Sequence, residues 1–109
     1  MSQKLEADVS IIDAHLRVDG KLSTTGRLVV KGEVRGTVEA DNLVIAREGR
    51  VFAEVTVGRM TIGGHFEGTV TATQVLVILA TGNCSGKVTC KDFMVEAGGV
   101  LSAEVTSLN

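Results

Sequence analysis

Two histidines, two cysteines and two glycine pairs are the residues of this chain best able to carry chemistry. An imidazole can move protons or bind a metal, a thiolate can attack or ligate, and a glycine-rich loop ahead of a helix can cradle phosphate. Their spacing supports none of these roles. His15 and His65 fall on outward strand parity about three repeats apart, too far to share a site. Cys84 and Cys90 fall on inward parity with no histidine or acid of the same parity nearby, which suits small apolar packing rather than a reactive thiol or a metal ligand. Gly63-Gly64 and Gly98-Gly99 precede no helical pattern and lack the Lys-Ser/Thr of a phosphate-binding loop, so they read as corners. The acidic residues are scattered outward without an acid/base couple. The expectation is a protein with no catalytic residue, no cofactor and no metal.

What would position these residues is a repeat. A short phrase returns five times: Val34-Arg35-Gly36-Thr37-Val38, Val51-Phe52-Ala53-Glu54-Val55, Phe66-Glu67-Gly68-Thr69-Val70, Cys84-Ser85-Gly86-Lys87-Val88 and Leu101-Ser102-Ala103-Glu104-Val105. Its first position is apolar, its third Gly or Ala, its fifth Val, and successive copies lie 17, 15, 18 and 17 residues apart. A second element precedes each phrase: Leu28-Val29-Val30, Leu43-Val44-Ile45, Met60-Thr61-Ile62, Leu76-Val77-Ile78 and Phe93-Met94-Val95, with Leu16-Arg17-Val18 as a partial opening unit. A unit this short cannot bury its own apolar face and must stack on a copy of itself. Period-two alternation sets Leu28, Val30, Val34, Gly36, Val38 and Ala40 inward, and the stacked copies bring Glu33 over Arg50 and align Thr56, Thr71, Thr89 and Thr106 as a ladder. Arg47-Glu48-Gly49, Ala80-Thr81-Gly82 and Ala97-Gly98-Gly99 absorb the changes of stride at corners, where glycine supplies backbone angles costly to other residues.

Composition agrees. The 109 residues make one domain with a net charge of −2, 13 Gly, no Trp, no Tyr and three Phe, which suits a β-solenoid with a narrow interior. Interleaved charges and scarce aromatics argue against nucleic acid. No apolar run reaches the ~18 residues of a membrane span, and Met1-Ser2-Gln3-Lys4-Leu5-Glu6-Ala7-Asp8 lacks the apolar core of a signal peptide. Two cysteines outside any disulfide or metal pattern fit a reducing cytoplasm. The expected organisation is a polar tail over residues 1–8, a solenoid over 9–105 and a short tail over 106–109. The fold class is all-β, a parallel solenoid of about six short turns.

Two surfaces stand out. Solenoids are normally capped to stop further stacking, and neither tail is long enough to form a lid. The bare layers would be Ile12, Leu16, Val18 and Leu22 at one end and Phe93, Val95, Leu101 and Val105 at the other, an invitation to end-to-end assembly with identical molecules. The second surface is a largely apolar outward column through Val29, Val44, Thr61, Val77 and Met94, extended by Leu79, with Phe52 outward on another face; it suits a lateral or partner contact.

Val9-Ser10-Ile11-Ile12 leading into Leu16-Arg17-Val18-Asp19-Gly20, then Leu28-Val29-Val30-Lys31-Gly32-Glu33-Val34-Arg35-Gly36 and the later Phe66-Glu67-Gly68-Thr69-Val70, resembles the bactofilin family over residues 9–105. The resemblance implies a single-stranded right-handed β-helix that polymerises without nucleotide into non-polar filaments, like end to like end. It further implies a cytoplasmic cytoskeletal scaffold at the inner face of the cell membrane that positions cell-envelope or morphogenesis proteins. A bulky apolar residue of the last turn, Leu101 or Phe93, is the matching candidate for the polymer contact. Family members often carry proline-rich flanks and sometimes an apolar N-terminal anchor; this chain has no proline, and Met1-Ser2-Gln3-Lys4-Leu5 is a poor anchor, which points to recruitment by a partner protein. A left-handed β-helix acyltransferase would need a strict six-residue register, which the wandering stride denies. A non-polymerising module presenting its apolar column to one partner is the alternative reading.

Overall fold

The computed structural model describes residues 9–107. Eight strands follow one another with no helix among the described residues: β1 (Val9–Ile12), β2 (Arg17–Ser23), β3 (Arg27–Val30), β4 (Glu33–Ile45), β5 (Arg50–Ile62), β6 (His65–Ile78), β7 (Asn83–Val95) and β8 (Val100–Ser107). Every pairing is parallel, in the order β1-β3-β4-β5-β6-β7-β8, with β2 also on β4. Each strand thus lies on the next copy of itself, and the chain is a parallel β-solenoid of about six turns.

The columns follow from this register. Val34, Val51, Phe66, Cys84 and Leu101 stack one over another, as do Leu28, Leu43, Met60, Leu76 and Phe93. Within a turn the alternation changes phase once. Asp41 and Asn42 both point away from the core between buried Ala40 and Leu43, and Gly58 and Arg59 repeat this one turn later. Between Ala72 and Val75 the corner holds an additional residue and the ladder register shifts there. That insertion accounts for part of the 18-residue stride from Phe66 to Cys84.

The opposite corner comes in two lengths. Four-residue corners at Asp13–Leu16, Ala46–Gly49, Leu79–Gly82 and Glu96–Gly99 each close with a backbone hydrogen bond of 2.8–3.0 Å from the last residue to the first. Lys31-Gly32 and Gly63-Gly64 are two-residue corners that lie between them. The ladder runs through both kinds: His65 N donates to Gly49 O at 3.0 Å and Asn83 N to Gly64 O at 2.8 Å.

Three expectations need correction. The first turn is not Leu16-Arg17-Val18 followed by the standard pattern. Ser10 and Ile12 pair with Leu28 and Val30, so Ser10-Ile11-Ile12 is the opening second element. Val18-Asp19-Gly20-Lys21-Leu22 pairs with Val34 through Val38 as a sixth phrase, and Leu16 lies in the corner between the two. Gly36, expected inside, is exposed, because its φ of +124° takes it out of strand geometry. At Gly49 and Gly82 the demand for glycine is not a left-handed angle. A Cβ at Gly49 would strike the carbonyl oxygen of Val30, and one at Gly82 that of Ile62, so adjacent turns could not close on each other. β8 runs to Ser107, with Thr106 and Ser107 on Thr89 and Cys90. The proposed N-terminal tail over 1–8 and the last two residues, with any part they play at the ends, lie outside the described residues.

The core is a single apolar column bundle from Ile12 to Cys90, with no buried polar or charged side chain among the described residues. Surface ion pairs are few among the described residues, and one of them, Lys21 with Glu39 at 4.0 Å, crosses between turns. Glu33 faces Arg50 across turns as expected, yet its carboxylate bonds Arg35 two residues along the same strand at 2.7 Å.

Candidate functional site

The residues with chemical potential are not gathered. His15 lies exposed on a corner of the first turn and His65 opens β6, where its Nε2 is 3.7 Å from Glu67. Cys84 and Cys90 are buried free thiols, and burial pushes the Cys84 thiol up to about 11. Among the described residues no group of three or more His, Cys, Asp or Glu could hold a metal, and no helix is long and apolar enough to cross a membrane. A recess of about 450 Å³ opens where the short corner Lys31-Gly32 is set back between its longer neighbours, lined by His15, Arg17, Glu33, Glu48 and Arg50. The hydrogen bond from Arg35, helped by the charges of Arg17 and Arg50, holds the Glu33 carboxyl below its ordinary value. The recess is a consequence of corner length, and its one carboxylate in a salt bridge, Glu33, is held by Arg35 from outside the lining.

The buried thiols give a direct check on the core. A thiol raised from 9 to about 11 is ionised about a hundredfold less at pH 8, before any steric protection. Cys84 should therefore stay unreacted with a soluble alkylating dye in the folded protein over a period in which both cysteines react fully in denaturant. Rapid labelling of Cys84 in the native protein would show that the interior around it is open.

The candidate end contacts occupy unequal positions. Cys84 in β7 carries Leu101 above it, and Leu101 is half-buried. The second half of β7 carries nothing above it among the described residues. Phe93 is 51% exposed although its equivalent one turn earlier, Leu76, is 0% exposed; Val95 is 37% exposed against 0% for Ile78. Val105 is exposed as well, and Phe93, Val105, Cys90, Lys91 and Ser107 line a cleft of about 340 Å³ on this end. At the other end Val18 and Leu22 are half-buried against the core, Leu16 is exposed on its corner, and Ile12, only 5% exposed, has little surface left to offer.

The candidate lateral residues divide similarly. Val29, Val44, Thr61, Val77 and Met94 form one outward column, in register from β3 to β7. The corrected first turn adds Ile11 beneath Val29. Sequence reasoning missed Ile11 because it placed the first second-element at Leu16; the out-in pair Ile11-Ile12, matching Val29-Val30, was the available signal. Leu79 sits on a corner, over Gly63, rather than in the column. Phe52 belongs to a different face, with Arg35 5.1 Å over its ring and the His65 ring 5.6 Å away, so its surface is partly covered by its own neighbours.

Fold and surface together define a structural β-solenoid: an unbroken apolar stack that emerges at its last layer and along one flank, with its remaining outward columns mostly polar. The chain belongs to the bactofilin family, whose model, described as polymer-forming cytoskeletal, matches residues 10–106. This is a family of structural proteins, not enzymes. Among solved structures, a cryo-EM reconstruction of Thermus thermophilus bactofilin double helical filaments is similar at 27% identity and a TM-score of 0.78, covering 91% of this chain and 97% of that one. No curated protein matches the chain by sequence.

Proposed function

We propose that this chain stacks end to end on copies of itself, joining like end to like end, and forms non-polar filaments without nucleotide. The observation that carries this is the contrast within one column. Leu76 and Ile78 are sealed by the turn above them, whereas Phe93 and Val95 at the same positions of the last turn lie open beside strand backbone that no described residue pairs. Apolar surface next to an unpaired strand edge is a template for another chain, and the same open layer of an inverted second copy would cover it. The right-handed winding of the coil is carried over from the family resemblance. From the Thermus thermophilus relative, whose filaments are double helical, we carry over lateral pairing of two such filaments.

The filament then serves as a cytoplasmic scaffold at the inner face of the cell membrane. Its polar flanks repeat with every rod and offer many equivalent sites on which cell-envelope or morphogenesis proteins can be arrayed. The test is direct. Purified protein, with no nucleotide present, should pellet above a threshold concentration and appear as threads by electron microscopy. Single rods persisting at high concentration would overturn the proposal and leave a non-polymerising module.

A further inference from the structure

We propose that the column Ile11, Val29, Val44, Thr61, Val77 and Met94 is the face through which two filaments of this chain pair, with a second copy running antiparallel against it. The proposal rests on the end-to-end reading above and names the surface that reading leaves open.

Three observations carry it. The first is the contrast between outward columns. Five of the six residues in this one are apolar, and they are in register through every turn. The outward column that begins at Lys21 continues Thr37, Glu54, Thr69, Lys87 and Glu104, with no apolar member. β-branched residues are ordinary on strand surfaces, but strand preference acts on all the outward columns equally and does not select one.

The second is continuity. The stripe is most exposed at its two extremes, Ile11 at 57% and Met94 at 61%. A like-end joint that holds the flanks of adjacent rods in line extends it from one molecule to the next, as a ridge with a rung about every 4.8 Å within each rod. A partner that covers such a ridge along its length must repeat at the same spacing, and another filament of this chain does. A weak contact per rod becomes strong when it recurs along the filament.

The third is charge along the rim. Beside the stripe runs the column Arg27, Asn42, Arg59, Val75 and Asp92. An antiparallel copy related by a two-fold axis along the strand direction and centred on Val77 sets Val77 against Val77, Thr61 against Met94 and Arg59 against Asp92. These three rungs meet each other, Val75 meets Val75, and the opposite charges meet at the edge, while Ile11, Val29 and Val44 are left to face the next rod of the partner filament.

The test uses three variants of the whole chain. Val77→Glu sets two carboxylates against each other at the two-fold axis. It should leave pelleting intact and give thin single filaments by electron microscopy, with the paired fraction down at least tenfold. The half-exposed site, and the Thr61 already present in the column, make the fold tolerant of this change. Arg59→Asp should also unpair filaments, and adding Asp92→Arg should restore pairing. Val77→Cys should give covalent dimers on mild oxidation of assembled protein, a product to which the buried Cys84 and Cys90 do not contribute. Paired filaments persisting in Val77→Glu, or no dimer from Val77→Cys, would overturn this face while leaving end-to-end growth intact. Pairing unchanged but sedimentation with anionic phospholipid vesicles lost in Val77→Glu would overturn it in favour of a lipid surface. Wild-type protein that forms no filament would sink the end-to-end reading instead.

Discussion

Phe93→Arg should leave the rod folded and remove its ability to grow. The side chain is half exposed in the single molecule, so an arginine there can reach water and the turn beneath it is undisturbed. In an end-to-end joint the same position is enclosed, and a symmetric joint encloses two of them. An unpaired charge withdrawn from water costs several kcal/mol. Taking about 3 kcal/mol, the threshold concentration for pelleting rises about a hundredfold, at roughly tenfold per 1.4 kcal/mol. Circular dichroism and the denaturation midpoint of the single rod should stay at the wild-type values. Filaments forming at the wild-type threshold would show that the joint is made elsewhere, and Leu101→Arg, one step deeper in the same layer, would be the next variant.

Phe66→Ala should act in the opposite sense, on the fold and not directly on the joint. Phe66 is fully buried, with Val51 below it and Cys84 above it. Its neighbours in the column are both smaller and belong to rigid parallel strands, so they cannot close over the space that the ring leaves. Truncating a buried Phe to Ala typically costs about 3–5 kcal/mol, a large share of a domain's whole stability. In a solenoid each turn is supported only by its neighbours, so a defect in the fourth turn weakens both halves of the stack. The measurement is a urea midpoint with the slope unchanged. It is best made in the Phe93→Arg background, because assembly stabilises whatever it binds and would conceal part of the loss. A loss below about 1 kcal/mol would mean that the stack repacks around the gap, contrary to what close-packed interiors allow.

Most of the interior was legible in the residues. The columns of Val34 and of Leu28 follow from apolar positions returning at a nearly constant stride, since parallel stacking leaves no other way to bury them. The first turn was not legible. Its phrase carries Leu22 where the other copies have Val, and its second element carries Ser10 where they have Leu, Met or Phe, so a pattern built on identity passed over both. A terminal turn has a neighbour on one side only, and its side chains are correspondingly less constrained. The reason for glycine at the corners was also hidden. Crowding between Gly49 and the Val30 carbonyl depends on two backbones meeting across turns, which no local pattern encodes. The outward register was predicted well, but the ion pair was not: Glu33 lies over Arg50 and bonds Arg35 instead, because a long arginine along the same strand reaches it more easily. Of the surfaces, the lateral column was visible without its first member, and the difference in cover between Phe93 and Leu101 arises only in the folded stack, where β8 covers half of β7.

The last turn covers the first half of β7 and leaves Asp92–Val95 uncovered among the described residues, so this extremity is a ledge and not a plane. A ledge works as a keyway. A mating rod can seat against it at one azimuth only, since any other rotation leaves a gap on one side and a collision on the other. In the proposed filament the joint would therefore set an angle as well as a distance, and that angle would decide where the flank of every subsequent molecule points.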